Sequence, residues 1–260
     1  AGDDLFSGYR RHKALSIETN IERIPIFIRR LLKKIVQIFK TGSPFFRRLK
    51  KLTINFEKSK FERMLGYFDW IDSPTLEALF KDKNSFDHHE FFKNLDNKLP
   101  ENTSDLNRML NWELKTFLVD HNLNYTDKLS MAVGVETRVP FLDKELVELS
   151  TKIPISLKMK GKETKYILKK VAEKYLPKEI IYRSKTGFGA PVRQWIVNDM
   201  DSIISKYLSK ENTEKRGIFN HNKIEELIKN NKLEKIDASY TIWALLAVES
   251  WIRQFIDEKI

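Results

Sequence analysis

The stretch that decides the fold lies near the middle of the chain and reads Glu136-Thr137-Arg138-Val139-Pro140-Phe141-Leu142-Asp143. A proline cannot continue a helix and it restricts the residue before it, so a helix that arrives from the N-terminal side has to end before Pro140. Asp143 is a good N-cap, and a new helix should therefore run from Lys144 to Thr151. The octet predicts a break between two helices.

Helical spacing of apolar residues extends over most of the chain. It predicts helices at 61–68, 75–81, 87–95, 144–151, 164–175, 192–195 and beyond, 200–208, 223–230 and 239–257, and one that starts at Ser104 or Asp105. With nine Gly and eight Pro among 260 residues, tight turns should be few. We expect a mostly α-helical fold in which any sheet is small or absent.

Charged residues crowd the octet and the segment before it. Asp127, Lys128, Glu136, Arg138 and Asp143 stand among apolar residues that we expect to be buried. A buried charge has to be paired or has to bind a charged ligand, because leaving water is costly. Both readings are open on this pattern.

The segment 24–51 is basic and amphipathic. Apolar residues recur three and four apart over 24–39, and Arg and Lys take much of the remaining circumference. Thr41-Gly42-Ser43-Pro44 ends this helix, and a second basic amphipathic stretch follows from Phe45 to Leu52. It can be a lid packed on the core with solvated basic residues, or a helix on a membrane surface. The lid is the commoner arrangement, and we expect a lid.

Composition narrows the function classes. The chain has 47 basic and 36 acidic residues, a net charge of +11, which suits an anionic partner such as a nucleotide, a nucleic acid or an acidic membrane surface. Genome composition explains such an excess equally well. The absence of cysteine excludes disulfides, thiolate zinc sites and cysteine nucleophiles within these residues. No apolar run approaches the length of a membrane span, and we expect a cytoplasmic protein.

Three further segments can carry phosphate chemistry. In Gly2-Asp3-Asp4-Leu5-Phe6-Ser7-Gly8-Tyr9, two adjacent carboxylates near glycines can hold Mg²⁺ on a polyphosphate, or can be ordinary first-turn acids. In Gly161-Lys162-Glu163-Thr164-Lys165, lysines near a helix start can point at phosphate, or can form a solvated face. The basic, glycine-containing loop 183–195 can close over an anion, or can be a structural turn.

Taken in order, these motifs resemble the C-terminal half of the synthetase domain of glutamine-dependent asparagine synthetases. The matching pieces are Gly2 to Tyr9, Asp127 to Ala132, Glu136 to Asp143, Gly161 to Lys165, Leu176-Pro177 and Arg183 to Phe188. The octet and the Lys185 to Phe188 turn are the most specific. Segments 21–110 and 196–260 match in helical character alone.

The resemblance implies the C-terminal portion of an α/β adenine-nucleotide-hydrolase-like synthetase domain, with most of the parallel sheet missing. Its parts would be a motif-dense core at 120–196, a variable helical insertion at 20–110 and a helical tail at 197–260. The implied reaction uses ATP and Mg²⁺ to adenylate the side-chain carboxylate of aspartate, or of a related acid. Ammonia derived from glutamine then displaces AMP and gives asparagine.

The resemblance also assigns residues. Asp3 matches the acid that holds Mg²⁺ and pyrophosphate, and Asp4 stands where Glu is more usual. The implied nucleotide and pyrophosphate set is Gly2, Asp3, Asp4, Lys162 and Lys165, and the implied catalytic set is Lys165, Tyr9 and Glu136. Lys165 would stabilise the departing pyrophosphate and Tyr9 would face the intermediate. Glu136 and Arg138 are expected to support the site from a buried octet.

Two family features are missing from this sequence. The glutaminase part needs an N-terminal cysteine, and the synthetase part needs a Ser-Gly-Gly-x-Asp-Ser phosphate loop, whereas no two glycines are adjacent here. We expect a fragment whose glutaminase and phosphate-loop segments are encoded in frame upstream. By itself it should not make asparagine, and apolar helix faces left uncovered should favour self-association.

Two other functions compete with this reading. A basic helical module could bind an acidic membrane surface or nucleic acid through residues 29–51. A metal site could use His88-His89 with Asp87 and Glu90, but adjacent side chains on a helix diverge by about 100° and chelate poorly. His12, His121 and His221 are isolated in the sequence and carry no signal.

Overall fold

The computed structural model describes residues 1–82, 88–184 and 190–257. The chain divides into two units, each built from two separate stretches of sequence. The first unit consists of Ala1–Arg23 and Asp87–Thr186, and the second consists of Ile24–Phe86 and Gly187–Ile260. The division into segments 20–110, 120–196 and 197–260 stays a prediction.

The first unit is mainly helical. Its α-helices are Gly2–Leu5, Arg10–Leu15, Glu18–Arg23, His88–Asp96, Asp105–Lys115, Asn124–Met131, Lys144–Lys152, Ile155–Lys158, Tyr166–Ala172 and Lys178–Ile181. A π-helix at Phe117–Leu123 and a 3₁₀ turn at Pro140–Leu142 complete the helical elements of its described residues. Leu5, Met109 and Trp112 are fully buried in it, where the first helix packs against Asp105–Lys115.

The sheet of the first unit is one short antiparallel hairpin. Its strands are Met159–Lys160 and Glu163–Thr164, with Met159 opposite Thr164. Gly161 has a φ of +59° in the two-residue turn, a conformation that glycine adopts at little cost. Within the described residues this is the whole sheet, so the prediction of a mostly helical chain with little strand is confirmed. The missing parallel sheet of an α/β parent stays a prediction.

The second unit has α-helices at Ile26–Ile38, Pro44–Thr53, Lys60–Gly66, Ser73–Leu79, Val192–Gln194, Asp201–Tyr207, Lys210–Arg216, His221–Lys232 and Ser239–Ile252, and π-helices at Trp195–Asp199 and Arg253–Asp257. Its core is formed by apolar side chains at the helices Ser73–Leu79, Val192–Gln194, Asp201–Tyr207, His221–Lys232 and Ser239–Ile252 and at the π-helix Trp195–Asp199, with Ile224 and Ile242 at most 1% exposed. None of the helices in the described part of the chain is long and apolar enough to span a bilayer.

The break at the octet forms as expected. Asp143 caps the helix Lys144–Lys152, since its Oδ1 accepts hydrogen bonds from the backbone N–H groups of Glu145 and Leu146 at 3.0 and 3.2 Å. Pro140 opens a short 3₁₀ turn instead of continuing a helix. Proline geometry and capping chemistry act over a few residues, so the sequence alone predicts this boundary well.

Burial of the octet region was expected, and this is wrong. Leu129, Met131, Val133 and Val135 are between 53% and 74% exposed, and Glu136 is exposed as well. The helix Asn124–Met131 follows directly on the π-helix Phe117–Leu123 and buries none of its own residues. Within the described residues, no helix or strand covers the exposed apolar side chains of this segment.

The lid expected at 24–51 is also wrong. Both helices are present, at Ile26–Ile38 and Pro44–Thr53, but Val36 is the one residue of the first that is buried. An amphipathic pattern predicts a helix and its apolar side, whereas what covers that side depends on the rest of the molecule.

The core of the second unit gives a stability test. Ile242→Ala should lower the free energy of unfolding by about 2–5 kcal/mol, because it removes buried methyl groups and leaves a cavity. Ile256→Ala is the matched control, since Ile256 is 59% exposed and should cost less than about 0.5 kcal/mol. Urea unfolding followed by circular dichroism measures both. Equal losses in the two variants would contradict this core.

Candidate active site

An ion pair joins the N-terminal motif to the lysine segment. Nζ of Lys165 lies 2.8 Å from Oδ1 of Asp3, and both side chains are partly exposed, at 29% and 24%. The two residues are far apart in sequence, and the fold brings them together at the surface of the first unit. A cation and a carboxylate placed this way could separate to bind a metal-bound phosphate. The cation would then contact a phosphate oxygen, and the carboxylate would contact the metal ion.

The backbone on both sides of this pair is strained. Lys165 has a φ of +55° at the N-cap of the helix Tyr166–Ala172, and Ser7 has a φ of +63°. Such left-handed conformations cost a non-glycine residue on the order of 1 kcal/mol and cluster at functional sites. The backbone N–H of Lys165 donates to the carbonyl of Phe6 at 3.1 Å, which ties the two strained segments together.

Gly8 is required by close packing. Its N–H donates to the carbonyl of Asp3 at 2.8 Å, and a Cβ at this position would lie 1.8 Å from Oδ1 of Asp3 and 2.7 Å from the Asp3 Cβ. Gly2, in contrast, leaves room for a methyl group beside the ring of Phe141. Gly8 therefore sets the position of the Asp3 carboxylate.

Tyr9 lies beside the same acids. Its hydroxyl donates to Oδ1 of Asp4 at 3.2 Å and accepts from Nδ2 of Asn122 at 3.3 Å. Burial, together with the negative charge of Asp4, raises the pKa of Tyr9 above its ordinary value. The phenol stays protonated at neutral pH and acts as a hydrogen-bond donor.

A buried cluster, which we call the Glu113 cluster, contacts both the backbone and the ring of Tyr9. It consists of Glu113, Arg11 and His12, and the Glu113 and His12 side chains are fully buried. Nδ1 of His12 accepts the backbone N–H of Tyr9 at 3.3 Å, so Nε2 carries the proton and donates to Glu113 at 2.9 Å. Nε of Arg11 pairs with the same carboxylate, and its guanidinium lies 4.2 Å from the centre of the Tyr9 ring.

Sequence reasoning missed this cluster. The usable signal was Glu113 itself, a carboxylate inside an apolar helical stretch and directly after Trp112, at a position that needs a cationic partner. The pair Arg11-His12 supplies the partners, but nothing in the spacing connects residues so far apart.

Two other predicted residues, Lys162 and Glu136, make no hydrogen bond or ion pair with Asp3 or Lys165 among the described residues. Lys162 is exposed in the hairpin turn, and Glu136 is exposed with an ion pair to Arg138 at 2.5 Å. A supporting role for Glu136 stays a prediction, but support from a buried position is wrong. Residues 185–188 of the specific turn lie outside the described residues.

The acidic side chains of this site fit a metal ion that binds together with a polyphosphate better than a metal ion held by the protein alone. No group of three or more His, Cys, Asp or Glu that could hold an ion occurs in residues 1–82, 88–184 and 190–257. Mg²⁺ commonly takes one or two carboxylates and completes its shell with phosphate oxygens and water. Asp3, partly exposed beside Lys165, meets that need.

Lys158 is a second feature that the sequence did not reveal. It is 3% exposed at the end of the helix Ile155–Lys158, directly before the hairpin strand whose Met159 sulfur accepts the Ser7 hydroxyl at 3.9 Å. Burial lowers the pKa of Lys158 to about 8.

Comparison with known proteins identifies relatives. A family model described as asparagine synthase matches residues 1–253. Asparagine synthetase 1 (glutamine-hydrolyzing) of Bacillus subtilis is 28% identical over 250 residues, which are 96% of this chain and 38% of that protein. A putative asparagine synthetase (glutamine-hydrolyzing) of Mycobacterium tuberculosis is 26% identical over 153 residues, 59% of this chain and 23% of that protein. No solved structure matches. The chain spans less than two-fifths of the length of these relatives.

Gly8→Ala should disturb the pair and destabilise the first unit. The new methyl group overlaps backbone-linked atoms of Asp3, and such overpacking costs about 1–3 kcal/mol. Gly2→Ala is the control, because its methyl group meets only ordinary contacts. Thermal unfolding of both variants measures the difference, and an unchanged midpoint for Gly8→Ala would refute the close approach.

Lys158 should make stability depend on pH. Below pH 8 both states carry the charge, and the folded state bears the full cost of burying it. Between about pH 8 and 10.5 the folded state has lost a proton that the unfolded state keeps, so stability rises with pH, by about 2–3 kcal/mol. Lys158→Met should remove the contribution of Lys158 to this rise, and Lys160→Met, at an exposed position, should retain it. Urea unfolding at several pH values between 7 and 10.5 tests this; parallel curves for Lys158→Met and the parent would contradict it.

Proposed function

The chain belongs to the asparagine synthase family, and we propose that its Asp3–Lys165 pair forms the pyrophosphate end of an ATP-dependent ligase site. The reaction proposed for the whole protein amidates the side-chain carboxylate of aspartate, or of a related acid. A carboxylate oxygen attacks the α-phosphorus of ATP, and the bond from that phosphorus to the bridging oxygen of pyrophosphate breaks. Ammonia derived from glutamine then attacks the acyl carbon and AMP leaves.

Adenylation is needed because a carboxylate oxygen is a poor leaving group and AMP is a good one. The barrier of the first step lies in the negative charge that builds on the departing pyrophosphate. Groups already placed around that charge lower the barrier without reorganising. Mg²⁺ carried by ATP supplies a share of this neutralisation, and the protein supplies the rest.

The 2.8 Å contact between Lys165 and Asp3 carries the proposal. With pyrophosphate present, the ammonium of Lys165 would contact a phosphate oxygen, and the Asp3 carboxylate would hold the metal ion that neutralises the phosphate charge. Without it, each charge neutralises the other. The tied backbones of Phe6 and Lys165 keep both side chains within reach of one ligand.

Tyr9 is proposed to orient Asp4 and to face the reacting carboxylate. Because the pKa of Tyr9 is raised, its phenol keeps its proton and can donate a hydrogen bond to a carboxylate without transferring that proton. Its position depends on the Glu113 cluster, through the backbone N–H that His12 accepts. Gly2, at the start of the first helix, and Lys162, in the hairpin turn, are also proposed to lie near the phosphates.

We propose that the chain alone does not complete this reaction. It has no adjacent glycines from which to build the family's phosphate loop, and it matches 38% of the Bacillus subtilis relative. The exposed apolar side chains from Leu129 to Val135 offer a surface on which the remaining part of such an enzyme would pack.

A chimaera tests the residue assignment. The 250 residues that match the Bacillus subtilis relative replace the corresponding segment of that protein, and pyrophosphate release from ATP is followed with aspartate and saturating ammonia. Lys165→Ala and Asp3→Asn should each slow release about a hundredfold, which corresponds to roughly 3 kcal/mol of lost transition-state stabilisation.

Lys174→Ala is the matched control, since it removes an exposed lysine near the same helix and should leave the rate unchanged. Ammonia as nitrogen source keeps glutamine hydrolysis out of the assay. Near-parental rates in both Lys165→Ala and Asp3→Asn would refute the assignment, provided that the parental chimaera is active.

A further inference from the structure

The helix Ile26–Ile38 presents an uncovered apolar stripe. Phe27, Leu31, Ile35 and Ile38 are spaced four, four and three residues apart, which places them on one face. Their exposed fractions are 69%, 57%, 44% and 81%. Large side chains are rarely exposed in such a contiguous row, and a row of this kind marks an interaction surface.

Contacts on the opposite side hold the stripe outward. Val36 is buried, Nη1 of Arg29 donates to the carbonyl of Phe56 at 3.0 Å, and Lys33 pairs with Glu57 at 2.6 Å. The helix is thus anchored to its own unit by its less apolar side. Rotation that would bury the stripe would break these contacts.

Aromatic residues extend the stripe beyond the helix. Phe39 follows its last turn, is 43% exposed and stacks on Phe46 with ring centres 4.7 Å apart. Phe45, beside it, is 64% exposed. The apolar surface therefore continues onto the start of the helix Pro44–Thr53.

The charge of this region is one-sided. Residues 24–56 contain nine basic residues and no acidic one: Arg29, Arg30, Lys33, Lys34, Lys40, Arg47, Arg48, Lys50 and Lys51. Lys34, Lys40 and Arg48 are exposed around the stripe, and in the described part of the chain they make no ion pair. The apolar surface is rimmed by free positive charge.

We propose that this face lies in the plane of a membrane whose surface carries anionic lipids. The stripe would enter the boundary between headgroups and acyl chains, and the surrounding cations would contact lipid phosphates. Nucleic acid offers phosphates but no apolar phase for four aliphatic and aromatic side chains. A second copy offers an apolar face but brings its own exposed cations, Lys34, Lys40 and Arg48, against the same three residues.

Vesicle co-sedimentation of the full chain tests the proposal. Vesicles of phosphatidylcholine with phosphatidylglycerol should bind it at least tenfold more tightly than phosphatidylcholine alone, and added salt should reduce the difference. Leu31→Gln with Ile38→Gln should weaken binding to the anionic vesicles at least tenfold. Lys34→Gln with Lys40→Gln should remove much of the preference for anionic vesicles.

The matched control is Leu129→Gln with Val133→Gln, which removes two equally exposed apolar side chains from the first unit and should leave binding unchanged. Equal loss in this control, or no preference for anionic vesicles, would overturn the proposal. So would binding to single-stranded DNA that survives Leu31→Gln with Ile38→Gln, or a dimer abolished by that variant in the absence of vesicle binding. Ligase activity enters none of these measurements.

Discussion

The carboxylate of Glu113 is the constraint on which the first unit depends. It is fully buried, and a bare negative charge there would cost more than most single contacts return. Arg11 and His12 satisfy it, so the N-terminal motif is held against the helix Asp105–Lys115 by electrostatic need. His12 passes this constraint to Tyr9 through its other ring nitrogen. The position of Tyr9 beside Asp4 thereby depends on a buried cluster of charged side chains.

Strain and charge meet at the same place. Ser7 and Lys165 are held in left-handed conformations next to the Asp3–Lys165 pair, and the hydrogen bond from Lys165 to Phe6 joins them. A backbone held in this way would limit the entropy that Lys165 loses in the phosphate contact proposed above. The partly exposed ion pair is thus attached to two constrained backbone segments.

The sequence predicted what depends on neighbours along the chain. The break at Pro140, the cap at Asp143 and the helical character all follow from local chemistry. The grouping of Asp3 with Lys165 came from the resemblance, and no spacing argument could have predicted their ion pair. The Glu113 cluster and Lys158 were missed because they depend on tertiary contacts. The errors at 124–136 and 24–51 have one cause: periodicity reveals an apolar side, but not whether this chain contains its cover.

The π-helix Phe117–Leu123 has a consequence for the geometry of everything that follows it. Its wider turns lie between two α-helices, Asp105–Lys115, which buries its apolar side, and Asn124–Met131, which buries nothing. Each residue added to or removed from a helix rotates the later part by about 100° around the axis. The π-helix therefore changes the direction in which the following side chains point. Asn122 contacts the Tyr9 hydroxyl, and the apolar face of the next helix points in another direction. One nearly continuous helical stretch therefore faces the core in its first part and is exposed in its last.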